Sequence, residues 1–169
     1  MKKHVISLLV ENQPGVLARV VGLISGRGYN IESLNVAPTQ NARLSRITMT
    51  VPGDDRVLEQ VTKQLNKLVD VVKVTDLTKR RYLDRELVLV EVAAPPEKRA
   101  EVVELAGLFD ARVVSVQDKS LTIEMAGEQD KIADFLGLLK TSRILDLSRS
   151  GIIAVARGEG RAQDIEKSA

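Results

Sequence analysis

The sequence predicts an α+β protein made of two successive small domains, each with the order strand, helix, strand, strand, helix, strand. Short runs of Val, Ile and Leu alternate with segments in which apolar residues recur at helical spacing. This order occurs twice in 169 residues, with the polar run Lys79-Arg80-Arg81 between the repeats. Aromatic residues are only 2% of the chain, so branched aliphatic side chains must fill the cores.

The first domain is predicted over residues 1–78. Four apolar residues after Pro14 follow the i, i+3, i+4, i+7 spacing of one helix face, and Arg27-Gly28 is a suitable helix end. Asp54 is a candidate N-cap for a second helix that continues to Leu68. The predicted strands cover 5–10, 31–37, 44–51 and 71–77. This βαββαβ order is that of the ferredoxin-like fold.

A linker is predicted over 79–85, a second ferredoxin-like domain over 86–158 and a polar tail over 159–169. The second domain repeats the order with strands over 87–92, 112–116, 121–125 and 144–147, and with one further strand over 152–156. Its helices are predicted over 95–109 and around Ile132 to Leu139. Because each sheet has helices on one face only, we expect a homodimer in which sheets join edge to edge or face to face.

The composition excludes several kinds of site. There is no Cys, so thiolate metal sites and a cysteine nucleophile are excluded. His4 is the only histidine and has no clustered acids, so it is interpreted as an ordinary surface or strand residue. Gly22, Gly26 and Gly28 do not form a dinucleotide-binding motif. We therefore predict no catalytic residue, no metal and no cofactor in this chain.

The charge pattern does not indicate nucleic acid or a membrane. The net charge is only +2, and the basic run at 79–81 lacks stacking aromatics, so a solvated linker is favoured. No apolar run approaches the length of about 20 residues that spans a membrane. The two lysines before the first apolar run superficially resemble a signal peptide, but a first strand is favoured. The expected location is the cytoplasm.

The most informative segment covers residues 11–39 and reads ENQPGVLARVVGLISGRGYNIESLNVAPT. A glycine beside a helix N-terminus lets a small anion approach backbone N–H groups that have no intrahelical partner. Taken alone, the Pro14-Gly15 turn is equally compatible with a turn that only starts the helix and binds no ligand. Asn12 before the helix and Asn30 after it are expected at the same end of the sheet. Without catalytic groups, this combination favours a small-molecule sensor over an enzyme.

This segment resembles the N-terminal ACT domain of the small, regulatory subunits of acetolactate (acetohydroxyacid) synthase. The resemblance continues in LSRITMTVPGDDRVLEQVTKQLNKLVDVVKVTDLT, in the DFLGLL helix and in ILDLSRSGIIAVARG. It covers the chain except the tail and is most specific in the first eighty residues. It implies a non-catalytic subunit whose large partner carries thiamine diphosphate, Mg²⁺ and FAD and condenses two pyruvates, or pyruvate with 2-oxobutyrate. The resemblance also implies a role in valine, isoleucine and leucine biosynthesis.

In this family the small subunit activates the large one and confers feedback inhibition by valine, which sits between two ACT domains of a dimer. The resemblance implies ligand-binding positions in the first loop and helix start and, from the neighbouring subunit, at the entry to the second strand: Asn12, Gly15, Val16, Leu17, Asn30 and Ile31. It suggests an outer shell at Asn35, Ala37 and Gln60, where Asn35 departs from the Thr of some relatives.

Two other functions stay open from the sequence. The chain could be a free-standing tandem-ACT sensor that regulates transcription, although it lacks a recognisable helix-turn-helix. It could also be a small enzyme of ferredoxin-like fold, which acetolactate formation by the chain alone would support.

Overall fold

A computed structural model describes residues 2–157 of the chain. The chain divides into two compact units. Of the described residues, unit 1 contains those up to Leu83 together with those from Ile152 onward, and unit 2 contains Asp84–Gly151. Each unit is built around a mainly antiparallel sheet with two helices, so the predicted α+β class and the two ferredoxin-like domains are confirmed.

The sheet of unit 1 has the strand order β2-β3-β1-β4. Along the chain its elements are β1 (Lys3–Glu11), α1 (Val16–Ser25), β2 (Ser33–Pro38), β3 (Leu44–Pro52), α2 (Asp55–Leu65) and β4 (Val71–Asp76). Both β1 and β2 pair antiparallel with β3, so they run in the same direction. The edge strands of this sheet are β2 and β4.

Alternation along β1 and β3 separates two faces of this sheet. Ile6, Leu8 and Val10 on β1 point to the helices, where they pack with Val20 and Ile24 of α1. From β3, the side chains of Ile47, Met49 and Val51 complete this core, as their alternation predicts. The intervening residues of these strands lie on the opposite face, which we call the helix-free face.

The second helix begins as the sequence predicts. The side chain of Asp54 accepts hydrogen bonds from the N–H groups of Arg56 and Val57, at 3.0 and 2.9 Å. These bonds satisfy two of the N–H groups that a helix start leaves without intrahelical partners. Leu58, Val61 and Leu65 then bury one face of α2 in the core of unit 1.

The chain returns to unit 1 at its last described strand, β9 (Ile153–Ala156). This strand pairs with β5 (Tyr82–Ala93), and the Arg157 N–H donates to the Arg81 carbonyl at 2.8 Å. The sequence-based boundaries differ from this arrangement, since they placed 152–156 in the second domain and 79–85 in a linker. Residues 82–85 of that linker form the beginning of β5. The predicted tail over 159–169 lies outside the described residues.

Unit 2 repeats the architecture with the strand order β6-β7-β5-β8. Its further elements are α3 (Arg99–Leu108), β6 (Arg112–Val116), β7 (Ser120–Gly127), α4 (Gln129–Leu139) and β8 (Ile144–Arg149). Val88, Val90 and Val92 of β5 pack with Phe135 in a core that is again almost entirely aliphatic. Helix α3 starts later than predicted, because Pro95 to Lys98 form a turn before it.

A buried ion pair joins two strands of unit 2. The carboxylate of Glu86 accepts from Nε and Nη2 of Arg149, at 2.8 and 2.7 Å. The Glu86 side chain is 2% exposed and that of Arg149 is 39% exposed. This two-pronged contact fixes β8 beside β5.

Within residues 2–157, no helix is long and apolar enough to cross a membrane. The same part of the chain has no group of three or more acidic, His or Cys side chains that could hold a metal ion.

Candidate functional site

The candidate site is the loop between β1 and α1. Gly15 is the N-cap of α1 and has a left-handed backbone, with φ 85° and ψ −12°. No side chain caps this helix, and its first turn carries no acidic residue. The first N–H groups of an α-helix have no intrahelical partner and carry the positive end of the helix dipole. The Val16 N–H donates to the Gln13 carbonyl at 3.4 Å. The start of α1 therefore offers its remaining N–H donors beside a residue that has no side chain.

Two polar contacts fix the loop against the β2–β3 turn. The Asn12 N–H donates to the Arg43 carbonyl at 2.7 Å, and Asn12 Nδ2 donates to the Ala42 carbonyl at 2.9 Å. These bonds use the backbone N–H and one side-chain N–H of Asn12, and its carboxamide oxygen is the group that can accept from a ligand. On the other side of the loop, the Glu11 N–H donates to the Asp70 carbonyl at 2.9 Å. The beginning of the loop is thus hydrogen-bonded both to the β2–β3 turn and to the segment before β4.

A charged pair that sequence reasoning missed lies beside Gly15. Arg19 Nε donates to Asp70 Oδ2 at 2.7 Å. The hydrogen bond from Arg19 lowers the pKa of Asp70, and the same bond raises the pKa of Arg19. A Cβ atom added to Gly15 would lie 3.0 Å from Arg19 Nη1. The guanidinium group therefore adds positive charge close to the start of α1.

The six predicted ligand-binding positions fall into two groups. Asn12, Gly15, Val16 and Leu17 are together at the start of α1. Val16 is 3% exposed and belongs to the core, so only its backbone can face a ligand, whereas Leu17 is 37% exposed. Asn30 is exposed, and Ile31 packs partly against the core at the entry to β2.

The expectation that Asn12 and Asn30 share one end of the sheet is wrong. Asn12 follows the last residue of β1, which pairs with Leu44. The segment after Asn30 lies at the beginning of β1, because the Glu32 N–H donates to the carbonyl of Thr50, the partner of Val5. The stretch of β1 between Val5 and Glu11 spans about 20 Å. Helix α1 carries the chain from one end of the sheet to the other, so one copy does not bring these two asparagines together.

The three outer-shell positions lie on different surfaces of unit 1. Asn35 and Ala37 pair with Thr48 and Arg46 on the helix-free face. Gln60 is exposed on α2, in the helix layer. His4, interpreted from sequence as an ordinary surface or strand residue, lies in β1 and not on the surface: it is fully buried, and neither of its ring nitrogens has a partner within the described chain. An open depression in unit 2 is lined by residues 117–120 and Leu145, none of which is a predicted site residue.

Comparison with known proteins identifies the family. A model described as the AHAS small subunit-like ACT domain matches residues 6–73, and a model of the small subunit of acetolactate synthase matches residues 85–158. The chain is 52% identical over 156 residues to the probable acetolactate synthase small subunit of Archaeoglobus fulgidus, covering 92% of this chain and 98% of that one. It is 47% identical over 158 residues to the acetolactate synthase small subunit of Haemophilus influenzae, covering 93% and 97%.

A solved structure agrees with these relatives. The acetolactate synthase small subunit of Thermotoga maritima superposes with a TM-score of 0.83 at 35% sequence identity, covering 95% of this chain and 100% of that one. Fold and sequence together therefore define an ACT-domain protein. The chain belongs to the family of acetolactate synthase small subunits.

Proposed function

We propose that this chain is the regulatory subunit of an acetolactate synthase in branched-chain amino-acid biosynthesis. It binds a catalytic subunit, activates it and makes it sensitive to inhibition by valine. The catalytic partner holds the thiamine diphosphate, Mg²⁺ and FAD, and this chain contributes no catalytic residue. We place the complex in the cytoplasm. The observation that carries the proposal is the uncapped start of α1 at the left-handed Gly15.

The carboxylate of valine is proposed to bind at the start of α1. Backbone N–H groups at Gly15 to Leu17 supply donors, and the helix dipole favours a negative charge there. The Val16 N–H, which donates to the Gln13 carbonyl at 3.4 Å, would have to exchange that long contact for the ligand. Arg19 lies beside the same point and adds a cationic group. A glycine is required because a side chain at position 15 would both strain the backbone and fill this space.

The other parts of the amino acid require oxygen acceptors and a small apolar surface. The carboxamide oxygens of Asn12 and Asn30 are proposed to accept from the ammonium group. The half-exposed Leu17 and the partly buried Ile31 offer apolar contacts for the isopropyl group. A pocket of this kind discriminates by only about 1–3 kcal/mol between ligands that differ by one methylene. Leucine and isoleucine are therefore expected to bind more weakly but measurably.

A dimer is proposed to bring the two halves of this site together. β2 is an edge strand, and pairing of two β2 strands about a twofold axis would run them in opposite directions. The beginning of β2 in one copy would then lie near the end of β2 in the other. Asn30 and Ile31 precede β2, while Asn12 contacts the turn that follows it. The Gly15 loop of one copy and Asn30 of the other would therefore meet at each end of the joined sheets.

Regulation requires that valine prefer one arrangement of the subunits, because a ligand with equal affinity for two states shifts neither. A site shared between two copies provides such a preference, since it is complete only in one arrangement of the dimer.

The direct test is to co-purify the chain with its catalytic subunit and to titrate acetolactate formation with valine. We expect the chain alone to form no acetolactate, to raise the activity of the catalytic subunit and to confer inhibition by valine. Acetolactate formation by the isolated chain, or a holoenzyme that is indifferent to valine, would contradict the proposal. Isothermal calorimetry on the isolated chain measures valine binding independently of activity, with leucine and isoleucine as comparison ligands.

A further inference from the structure

The helix-free face of unit 1 is partly covered by the last described segment of the chain. We call residues 152–156 the strap. Ile152 and Ala154 are 1% and 3% exposed, and they form one buried cluster with Val5 of β1 and Leu77 after β4. Ile153 and Val155 alternate with them and are 57% and 43% exposed. The strap is therefore a half-buried strand that is seated on unit 1 by one face.

One polar contact fixes the strap to the edge strand β2. Nδ2 of Asn35 donates to the carbonyl of Ile152 at 3.2 Å. Asn35 lies on β2 only a few residues after Asn30 and Ile31, which precede this strand. A change in the position of β2 therefore acts on the Asn35–Ile152 hydrogen bond and on the apolar cluster beneath it.

The strap begins where the chain returns to unit 1. The chain leaves unit 1 after Leu83, within β5, and returns at Ile152. Gly151, with φ 72°, makes the left-handed turn that directs the chain into the strap.

We propose that docking of the strap is thermodynamically coupled to the valine site through β2, with Asn35 as the positioning residue. This inference rests on the proposed function, because the valine site is one of the two coupled sites. Valine that engages Asn30 and Ile31 holds the beginning of β2, and a fixed β2 favours the docked strap. Coupling free energies are reciprocal, so the undocked chain must bind valine more weakly than the docked chain by the factor by which valine favours docking.

The test uses the full-length chain and two substitutions on neighbouring residues of the strap. Ile152→Ala removes apolar contact from the buried cluster, whereas Ile153→Ala changes the exposed face and is the matched control. We expect Ile152→Ala to weaken valine binding at least about five-fold in calorimetry, which is the low end of typical couplings. Ile153→Ala should bind valine like the wild type, and Ile152→Val should restore most of the affinity because it keeps a branched side chain.

Hydrogen exchange supplies a second measurement. It detects an effect of valine on the strap that a general loss of stability would not produce. In the wild type, valine should slow amide exchange in residues 152–157. In Asn35→Asp, which cannot donate to the Ile152 carbonyl when ionised, that protection should be lost while exchange in α2 is unaltered.

The failures of the two proposals are distinguishable. Valine binding that is equal in the wild type, Ile152→Ala and Ile153→Ala overturns the coupling and leaves the proposed function intact. Absence of valine binding to the wild type overturns both.

Discussion

Arg19 and Asp70 form an ion pair that joins the first helix to the segment before β4, with 2.7 Å between Nε and Oδ2. Asp70 also accepts, through its backbone carbonyl, from the N–H of Glu11 at the end of β1. One residue thus holds both sides of the Gly15 loop. This relationship gives the loop a fixed position relative to the sheet before any ligand arrives.

The Arg19–Asp70 pair predicts a specific dependence of stability on pH. The hydrogen bond from Arg19 lowers the pKa of Asp70 below its ordinary value of 3.8. A carboxyl group whose pKa is lower in the folded state contributes stability above its unfolded pKa and loses that contribution as pH falls through the folded pKa. The melting temperature of the wild type should therefore exceed that of Asp70→Asn at pH 5–7, and the difference should shrink below about pH 4.

Thermal unfolding followed by circular dichroism at several pH values measures this difference. In an Arg19→Gln background, Asp70→Asn should change the pH dependence much less. An equal Asp70→Asn effect at pH 3 and pH 6 would show that the carboxylate of Asp70 is not stabilised by Arg19.

Gly15→Asp should abolish valine binding without unfolding the chain. The introduced carboxylate occupies the anion position at the start of α1 and lies next to Arg19, which can pair with it. Left-handed backbone costs a non-glycine residue roughly 1–2 kcal/mol, which a folded domain can tolerate. Calorimetry with valine measures the loss.

Two further variants separate charge from backbone strain in that experiment. Gly15→Ala introduces the strained backbone without the charge and should weaken valine binding only partly. Gly22→Asp adds the same carboxylate farther along α1, where an added Cβ meets no atom within 4 Å, and should leave binding unchanged. Wild-type affinity in Gly15→Asp would contradict the placement of the ligand carboxylate.

Asp54→Ala should lower the stability of unit 1 by about 1 kcal/mol, because α2 loses the acceptor for two N–H groups. Asp54→Asn keeps an oxygen acceptor and should cost much less. Urea unfolding measures the difference, and hydrogen exchange in the first turn of α2 should locate it. Equal stability of the alanine and asparagine variants would exclude the capping explanation.

Arg149→Met should destabilise unit 2 by about 3 kcal/mol, because it leaves the buried Glu86 carboxylate without its partner. The double variant Glu86→Leu with Arg149→Met should recover most of the loss, since no unpaired charge is then buried. Arg112→Met removes an exposed pair with Glu124 and serves as the control, for which we expect little change. Urea unfolding with hydrogen exchange of β5 and β8 is the measurement, and similar losses for Arg149→Met and Arg112→Met would contradict it.

Most of the fold could be predicted from local pattern. The strand predicted over 44–51 is present, with Ile47, Met49 and Val51 alternating into the core, and Asp54 was predicted as a helix cap from its position before an apolar repeat. These features depend on residues close in sequence, where periodicity of 2.0 or 3.6 residues is informative.

The prediction that Asn12 and Asn30 lie at one end of the sheet was wrong because it ignored the length of the helix between them. Helix α1 has 10 residues, which advance the chain by about 15 Å. Its two ends must therefore lie near opposite ends of the sheet. Arg19 was missed, but the sequence does contain a signal for it. It lies four residues after Gly15, which places it on the same side of the helix. The partnership of Ile152 with Val5 depends on residues far apart in sequence, and no local signal indicates it.

The return of the strap to unit 1 has a consequence for biosynthesis of the chain. A ribosome completes residues 1–83 and the whole of unit 2 before Ile152 emerges. Until then Val5 and Leu77 have neither Ile152 nor Ala154 to cover them. The amino-terminal sheet is therefore the first to be synthesised and the last to be finished, and a fragment ending at Leu83 should expose an apolar patch that a chaperone or a second nascent chain could bind.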